Sequence, residues 1–350
     1  MARQPGHHVS ASAGVATGVM GGKSMLVSRR RLLLGLIFVL IVGLAFVVAV
    51  AASYARVRDQ LPPLVGTGIA SPPRFQSSLY GVSRPLGVAV SPLDGRVYVT
   101  ESDGERETKI FDRQGARKGS LVPPDVEAAN RLPVYVAVNS KGEVYVSDRT
   151  RAVIDMFAPD GGYLGQFAPN NDPEYQWSPL GLSFDSQDRL IVTDVGGGQH
   201  SVLLFSPTGG LLARYGKSGQ GSDALSFPNA AVADRSGRIL VSDGNNGRVV
   251  ALRYDDETLS PDSRGLDMWR MGLPRGMGVD AKDRLYVVDA INHLIIAYDL
   301  AVETPTMLFS FGLQGIKDGQ FSFPNGLAVE ARGRIYVTDR ENNRVQAWEY

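Results

Sequence analysis

A unit of 46 to 50 residues that occurs six times between Arg84 and Tyr350 constrains this chain more than any other feature. Each copy begins with a proline, and the prolines follow one another at steps of 48, 46, 49, 46 and 50 residues. An acidic residue at the end of the second apolar run recurs at steps of 47, 46, 49, 46 and 50. The two series are Pro85, Pro133, Pro179, Pro228, Pro274 and Pro324, and Glu101, Asp148, Asp194, Asp243, Asp289 and Asp339. A period of this length is typical of a propeller or a solenoid.

The apolar runs inside each copy have the pattern of β-strands. In the last copy, FPNGLAVEARGRIYVTDRENNRVQAWEY, the predicted strands are Gly326–Glu330, Ile335–Thr338 and Arg344–Trp348, with turn residues between them. A fourth strand precedes the next copy, as in Leu211–Tyr215, Met307–Phe311 and Tyr163–Phe167. A helix is disfavoured because no apolar run has a 3.6-residue period. Four antiparallel strands in each unit predict an all-β fold, a six-bladed β-propeller over residues 74–350.

The two ends of the repeat array predict how the ring closes. The chain ends at Tyr350 after the third strand of the sixth copy, so that blade lacks its outer strand. The segment Arg74–Gly81, RFQSSLYG, precedes the first copy and resembles the fourth-strand segments. We expect this N-terminal strand to complete the last blade, because an unpaired edge is a template for aggregation and closure removes it.

Each copy places a proline two positions before a small, apolar strand, and then carries Y-V-x-D and N-N-R or variants of them. The clearest copies are PNGLAV…GRIYVTDRENNRVQAW, the sixth, and PNAAVA…GRILVSDGNNGRVV, the fourth. This pattern resembles the NHL repeat family over about residues 74–350, although the second copy, PVYVAV…GEVYVSDRTRAVIDMF, lacks the glycine after the proline. The resemblance implies a six-bladed propeller. NHL propellers serve as platforms that bind proteins, RNA or substrates, and occasionally as enzymes, so the resemblance selects no single function.

The N-terminal region has the pattern of a membrane anchor. Leu32–Ala52 has 21 residues without a charge or a proline, which as a helix would span about 31 Å, the thickness of a bilayer core. Basic residues and no acidic residue precede it, which predicts a cytoplasmic N-terminus and an extracytoplasmic propeller at the cell membrane. A cleaved signal peptide and a twin-arginine signal at Ser28–Leu33 are alternatives, and both also export the propeller. The predicted organisation is a disordered basic tail at 1–31, a transmembrane helix at 32–52, a proline-containing spacer at 53–73 and the propeller at 74–350.

Cysteine usage and charge narrow the function classes. The chain has no cysteine, which excludes disulfides, thiol chemistry and the attachment of c-type haem or iron–sulfur clusters. Seven of its 36 basic residues and one of its 36 acidic residues precede residue 62, which leaves 29 and 35 and a formal charge of about −6 in the propeller part. That balance argues against nucleic acid as a partner. No P-loop, Rossmann fingerprint or G-x-S-x-G motif occurs, and the sequence predicts no cofactor.

The sequence predicts a site at one mouth of the axial channel. In a propeller, the loop before the innermost strand and the loop after the second strand open on the same face, around the mouth of the channel. Six convergent loops around an axial hole are the natural ligand site of the fold. The candidate ligand- or partner-binding residues in these loops are Arg149, Arg151, His200, Asn229, Arg248, Arg275, His293, Asn325 and Arg344. The recurrent acids are interpreted as acceptors for turn amides. Arg248 and Arg344 belong to the repeat consensus and are interpreted as braces of their loops.

The candidates that depart from the repeat consensus are Arg149, Arg151, Arg275, His200 and His293. The segment VTDVGGGQHSVLLF, with His200, resembles a zinc-ligand segment of the peptidyl-hydroxyglycine amidating lyases, which need three histidines around zinc. Beyond His200 and His293, the chain has only His7 and His8, both in the N-terminal tail. A carboxylate such as Glu101 could complete a site, but no spacing requires it, and no metal is predicted. The sequence therefore predicts a binding scaffold for a protein or an extracellular ligand, with a metal-dependent lyase or hydrolase that uses His200 and His293 as the alternative.

Overall fold

The computed structural model describes residues 71–172, 174–262, 271–302 and 304–350. The predicted tail, the predicted transmembrane helix Leu32–Ala52 and the predicted spacer up to residue 70 lie outside the described residues. No helix in the described part of the chain has the length and the apolar character needed to span a bilayer.

The described residues form six antiparallel sheets of four strands, one for each repeat of the sequence. In chain order the strands are β1 (Arg74–Leu79), β2 (Pro85–Val90), β3 (Val97–Glu101), β4 (Thr108–Phe111), β5 (Arg117–Leu121), β6 (Pro133–Val138), β7 (Val144–Asp148), β8 (Val153–Phe157), β9 (Tyr163–Gln166), β10 (Pro179–Phe184), β11 (Leu190–Asp194), β12 (Ser201–Phe205), β13 (Leu211–Tyr215), β14 (Pro228–Ala233), β15 (Ile239–Asp243), β16 (Arg248–Asp255), β17 (Thr258–Pro261), β18 (Pro274–Val279), β19 (Arg284–Asp289), β20 (Leu294–Asp299), β21 (Thr306–Phe311), β22 (Pro324–Val329), β23 (Ile335–Asp339) and β24 (Arg344–Glu349). Single turns of 3-10 helix occur at Ala128–Asn130, Pro169–Asn171, Gly196–Gly198, Gly244–Asn246 and Arg340–Asn342. Blades 1 to 5 consist of β2–β5, β6–β9, β10–β13, β14–β17 and β18–β21, and blade 6 of β22, β23, β24 and β1. The predicted six-bladed propeller is confirmed.

The ring closes through the N-terminal strand, as the sequence predicts. Strand β1 pairs antiparallel with β24, and Phe75 lies opposite Trp348 in this pairing. The two aromatic rings meet edge to face with their centroids 5.9 Å apart, a favoured aromatic geometry. The first and last strands of the propeller therefore share one sheet, and β24 has no unpaired edge.

The predicted strand ends are correct to within two residues in the sixth blade, with one informative error. The predicted first strand, Gly326–Glu330, is observed as β22, Pro324–Val329, and Pro324 lies opposite Asp339. Proline is tolerated at the first position of a strand because its missing N–H removes no ladder hydrogen bond there. The proline that marks each repeat is thus the first residue of the innermost strand.

Glycines let the innermost strands approach one another around the axis. A Cβ atom on Gly87 of β2 would lie 2.7 Å from the carbonyl oxygen of Val134 and 2.8 Å from the Cα of Tyr135, both in β6. Gly181, Gly276 and Gly326 hold the same position in their blades and face the same kind of clash with the backbone of the next blade. Backbone atoms cannot yield as a flexible side chain does, so the close approach at these four positions requires glycine, whereas blades 2 and 4 have Tyr135 and Ala230 there.

Hydroxyl groups of the second strands tie blades 1, 2 and 6 to the next blade. Thr100 donates a hydrogen bond from Oγ1 to the carbonyl oxygen of Val134 in blade 2, 2.7 Å away. Thr338 makes the corresponding bond from blade 6 to the Leu86 carbonyl of blade 1 at 3.0 Å, across the point where the ring closes. Blade 5 has Val288 at this position and no hydroxyl. These bonds satisfy carbonyl groups that the innermost strands leave unpaired toward the channel.

Candidate functional site

Two sets of loops meet on one face of the ring, which we call the mouth face: the loops before the innermost strands and the loops after the second strands. Asn342, after the second strand of blade 6, donates from Nδ2 to the carbonyl oxygen of Gly315 in the loop before that blade, at 2.9 Å. Asn246 makes the equivalent bond to Gly219 in blade 4 at 3.0 Å. The loops are therefore fixed to each other, and their side chains are displayed from a rigid frame.

The recurrent acids bind backbone amides, as the sequence predicts. Asp194 accepts hydrogen bonds at Oδ1 from the N–H groups of Ser178 at 2.8 Å and Gly196 at 2.9 Å. The other five acids accept equivalent bonds from the loops that precede their blades, and all six are buried. A buried carboxylate that accepts backbone N–H groups holds its loop in place. These acids are structural.

The consensus arginines brace the loops, which confirms that part of the prediction. Arg344 donates from Nε to Asp339 at 2.7 Å and from Nη2 to the Lys317 and Gln320 carbonyl oxygens at 2.7 and 2.9 Å. Arg248 repeats the arrangement in blade 4, with Asp243 at 2.8 Å and two carbonyl oxygens of the preceding loop. Their donors are largely occupied by the protein, so these two arginines have little capacity to bind a ligand.

Arg151 is also engaged within its own blade. Its Nε donates to Asp148 at 3.0 Å, and its terminal nitrogens pair with Asp155. Burial raises the pKa of Asp155, and the adjacent Arg151 charge opposes that rise. The structure thus pairs Arg151 with these two carboxylates and leaves 17% of its side chain exposed.

The two histidines hold the amide of the residue before the next proline. Nδ1 of His293 accepts a hydrogen bond from the N–H of Phe323 at 3.0 Å, and Nδ1 of His200 accepts one from the N–H of Phe227 at 3.2 Å. Each imidazole also packs edge to face on that phenylalanine, with ring centroids 4.9 Å and 5.7 Å apart respectively. At the third such junction, Asn343 Oδ1 accepts from the N–H of the residue before Pro85 at 2.8 Å. Each histidine therefore has the same role at its junction as Asn343 has at the third: its side chain accepts the backbone N–H of the residue before the proline.

These three junctions share a Ser-x-Pro sequence and an unusual backbone. The middle residues Arg84, Phe227 and Phe323 have φ of 45°, 57° and 49°. A residue before proline that adopts a left-handed conformation is strained, by about 1–3 kcal/mol. The bond from the preceding blade offsets that strain. As a consequence, the middle residue lies in the loop at the mouth face, and Phe323 remains 44% exposed.

The channel wall has an apolar side and a polar side. The residue after each proline is apolar in blades 1 to 3 and polar in blades 4 to 6; the six residues are Leu86, Val134, Leu180, Asn229, Arg275 and Asn325. Arg275 donates from Nη1 to Asn229 Oδ1 at 2.9 Å, and Asn325 donates to the Leu86 carbonyl at 2.9 Å. The hydroxyl of Tyr135 is buried near Arg275 and Asn325 without a well-formed hydrogen bond to any described residue. Burial raises the pKa of this phenol, and the Arg275 charge opposes that effect.

Positive charge gathers at the polar side of the mouth. Arg84 pairs with Glu341 at 2.7 Å, and Arg340 approaches the same carboxylate oxygen at 3.5 Å. Burial, together with the positive charges of Arg84 and Arg275, lowers the pKa of Arg340, and Glu341 only partly compensates. The Glu341 carboxylate thus lies near two guanidinium groups, those of Arg84 and Arg340, and the positive charge of Arg275 also acts on Arg340. Sequence analysis missed Arg84 as a site residue and placed Arg340 in a mouth loop without selecting it; the signal for Arg84 is its place in the middle of a Ser-x-Pro triplet.

Arg149, in the loop after the second strand of blade 2, contacts the junction before blade 4. Its guanidinium carbon is 5.1 Å from the centroid of the Phe227 ring, a cation–π contact. Within the described ranges, no carboxylate lies within ion-pair distance of Arg149 or Arg275. Both guanidinium groups thus retain donors for a ligand.

The described residues contain no group of three or more His, Asp or Glu side chains placed to share a metal ion. Glu101, the carboxylate considered for such a site, pairs with Lys109 at 2.8 Å. An open cleft of about 600 Å³ lies on the opposite face of the ring, between the hairpins of blades 1 and 6. Its charged side chains are largely paired, as in Arg96–Asp94 at 2.5 Å and Arg113–Glu330 at 3.2 Å. We regard the mouth face as the better candidate because its charges are less compensated.

Comparison with protein families supports the pattern of the sixth blade. Residues 321–348 match the NHL repeat. NHL repeat-containing protein 3 from mouse is 30% identical over 191 residues, which cover 51% of this chain and 54% of that protein. The chain spans about half the length of the curated relatives it matches first. The sequence resemblance to NHL repeats and the six-bladed propeller thus agree.

Solved structures support the fold. A gluconolactonase from Xanthomonas campestris is similar with a TM-score of 0.60 and 15% identity, over 80% of this chain and 95% of that chain. A streptogramin B lyase is similar with a TM-score of 0.53 and 14% identity, over 79% of this chain and 96% of that chain. At this level of identity, the likeness extends to the fold alone.

Proposed function

We propose that this chain is a membrane-anchored, extracytoplasmic NHL-repeat propeller that serves as a binding scaffold for a protein or an extracellular ligand. The mouth face carries the site. Blades and loop-to-loop bonds fix the loops before binding, which lowers the entropy cost of association. Leu32–Ala52 is the proposed anchor, with the N-terminus in the cytoplasm.

One observation carries this proposal: the mouth displays arginines that the fold does not neutralise. On the opposite face, several hairpins close with their own Asp–Arg pair, as in Asp185–Arg189 at 2.6 Å and Asp234–Arg238 at 2.5 Å. At the mouth, Arg149 and Arg275 have no such partner among the described residues. Arg275 is half-buried and Arg149 is exposed. A half-buried charge without a partner is costly to a fold and is typical of binding sites, and an exposed guanidinium is open to a partner.

The geometry gives less support to the alternative, a metal-dependent lyase or hydrolase. Both candidate histidines use Nδ1 to accept a backbone amide, which explains their presence without a metal. Their partners are the phenylalanines of two different junctions, between blades 3 and 4 and between blades 5 and 6. The lyase and gluconolactonase structures share the fold with this chain, and no described cluster supplies the ligands that zinc needs.

Photo-crosslinking in intact membranes tests the choice of face. A photoreactive amino acid replaces Arg84 or Arg149 on the mouth face, or Leu93, which is 61% exposed on the opposite face, as the matched control. We expect discrete crosslinked products from the two mouth positions and none from position 93. Products from position 93 alone would contradict the proposal.

A reporter fusion tests the topology. A reporter enzyme that is active only outside the cytoplasm is joined after Tyr350, with and without residues 32–52. The proposal predicts activity in the membrane fraction, and loss of activity on deletion of the segment. Activity in the soluble exported fraction would instead favour a cleaved signal, and cytoplasmic retention of the intact fusion would contradict export.

A further inference from the structure

The loop before blade 6 exposes apolar side chains that its counterpart before blade 4 replaces with polar ones. The two loops have the same length and spacing, GLQGIKDGQFSF from residue 312 and GKSGQGSDALSF from residue 216. Leu313 and Ile316 are 57% and 79% exposed, where the other loop has Lys217 and Gln220. The fold of the loop therefore does not require apolar residues at these positions.

The two loops also share a backbone hydrogen bond at equivalent positions, so their side chains can be compared position by position. In the loop before blade 6, Phe321 donates its N–H to the Leu313 carbonyl at 2.8 Å; in the loop before blade 4, Leu225 donates to the Lys217 carbonyl at 2.8 Å. Further bonds from Asn342 and Arg344 fix the loop before blade 6. Ile316 is thus held in solvent by a rigid loop. Apolar side chains presented in this way are typical of interaction surfaces.

Two further exposed apolar residues lie in the mouth loops on either side of the boundary between blades 5 and 6. Phe323, 44% exposed, ends the loop, and Ile291, 51% exposed, lies two residues before the histidine that packs on Phe323. The positions equivalent to Ile291 in blades 4 and 6 are Asn245 and Glu341. We call Ile291, Leu313, Ile316 and Phe323 the apolar patch.

The apolar patch adjoins the arginines of the mouth. The N–H of Glu341 bonds to the carbonyl oxygen of Ser322, the residue before Phe323, at 3.1 Å. Glu341 in turn pairs with Arg84 at 2.7 Å and approaches Arg340 at 3.5 Å. The Nε atom of Arg340 is buried and has no hydrogen-bond partner in the described structure. The side chains of Arg84 and Arg340 as a whole are 41% and 36% exposed, and they share the carboxylate of Glu341, so a second carboxylate from a partner can bind their accessible ends.

Building on the proposed function, we infer that the blade 6 sector of the mouth face binds a protein segment that presents apolar side chains beside an acidic residue. The apolar side chains cover the apolar patch, and the carboxylate binds Arg84 and Arg340. A protein segment fits better than nucleic acid because the sector exposes four large apolar side chains and the propeller part is acidic, at a formal charge of about −6. The free energy of binding then comes from apolar burial, and the arginines set orientation.

Selection of displayed random peptides on the purified full-length chain tests this inference. One selected peptide is then measured by fluorescence anisotropy against two variants. Leu313→Lys with Ile316→Gln gives the loop the residues of its counterpart, and Arg84→Ala with Arg340→Ala removes the cations. We expect selected peptides to combine Asp or Glu with large apolar residues, and each double variant to weaken binding at least about tenfold. Exchange of the peptide carboxylate for lysine should be rescued by Arg340→Glu.

Matched controls separate this inference from the proposed function. Gln220→Ala alters the counterpart loop before blade 4, on the mouth face but outside the sector, and Leu93→Ser lies on the opposite face; neither should change affinity. If Arg149→Ala weakens peptide binding and neither double variant does, the assignment to the blade 6 sector is wrong and the mouth face remains the site. If Leu93→Ser weakens peptide binding, both the blade 6 sector and the mouth face are wrong as the site. Recovery of basic peptides, or of none, would overturn the inference, as would tight binding of single-stranded RNA that ignores the Leu313 and Ile316 changes.

Discussion

Nδ1 of His293 lies 3.0 Å from the backbone nitrogen of Phe323 and accepts its hydrogen bond across the boundary between blades 5 and 6. His293 itself has φ of 56°, and Phe323 has φ of 49°. A left-handed residue in one blade thus holds a left-handed residue in the next. Asn343 has the same role and φ of 52° at the closing junction. Asparagine is the residue that best combines an acceptor with tolerance of this conformation.

This equivalence predicts the effect of two substitutions at one position. His293→Ala removes the acceptor and leaves a residue that disfavours positive φ, whereas His293→Asn restores both features and loses the ring packing as alanine does. We expect the alanine variant to be less stable than the asparagine variant by about 1–2 kcal/mol. Urea unfolding of the two variants measures the difference. Equal stabilities would refute the structural role and return His293 to the list of ligand contacts.

The close approach of the innermost strands predicts that Gly87→Ala is destabilising. The added methyl group would meet backbone atoms of Val134 and Tyr135 at 2.7 and 2.8 Å. Overpacking against backbone costs about 1–3 kcal/mol, which outweighs the entropy gained when glycine is replaced. Ala230 holds the same position in blade 4, so Ala230→Gly is the control and should cost less than 1 kcal/mol or so. Thermal melting that ranks the two variants the other way would count against the ring geometry.

The raised pKa of Tyr145 predicts that the protein loses stability at alkaline pH. Burial, with help from the Glu143 and Asp188 charges, raises its pKa to about 12. Its folded pKa therefore lies above the unfolded value near 10, so the stabilisation is complete below pH 10 and is lost as the pH rises toward 12. Because the side chain is partly exposed, we expect the loss to be no more than about 2 kcal/mol. Tyr145→Phe should make the stability curve shallower between pH 10 and 12, and an unchanged slope would contradict the assignment.

The sequence was sufficient for the architecture because propeller strands follow from local patterns. Proline, an alternating strand and a terminal acid recur in every copy, and the acid at Asp194 binds the amides that its position suggested. The closing strand was predictable too, because the sixth copy lacked an outer strand. All these signals lie within one repeat or between neighbouring repeats.

The site was less predictable because the role of each of its residues depends on contacts that the sequence does not show, several of them between blades. No local pattern in His200 shows that its imidazole faces the Phe227 amide of the next blade. Arg151 departs from the repeat consensus in a mouth loop, which suggested a ligand contact, but its guanidinium pairs with Asp155. The apolar patch was missed because Leu313 and Ile316 resemble strand residues until the loop is compared with its counterpart before blade 4.

Pairing of β1 with β24 is the relationship on which the positions of all the mouth loops depend, and a disulfide measures it directly. The chain has no cysteine, so Arg74→Cys with Glu349→Cys creates a single possible intramolecular bridge between residues that lie opposite each other. Tyr80→Cys with Glu349→Cys is the control, with its thiols at opposite ends of the strand pair, roughly 20 Å apart. We predict that mild oxidation closes the bridge in the first variant and not in the second, as peptide mass analysis would show. Efficient closure in the control, or none in the opposed pair, would contradict a ring closed by the N-terminal strand.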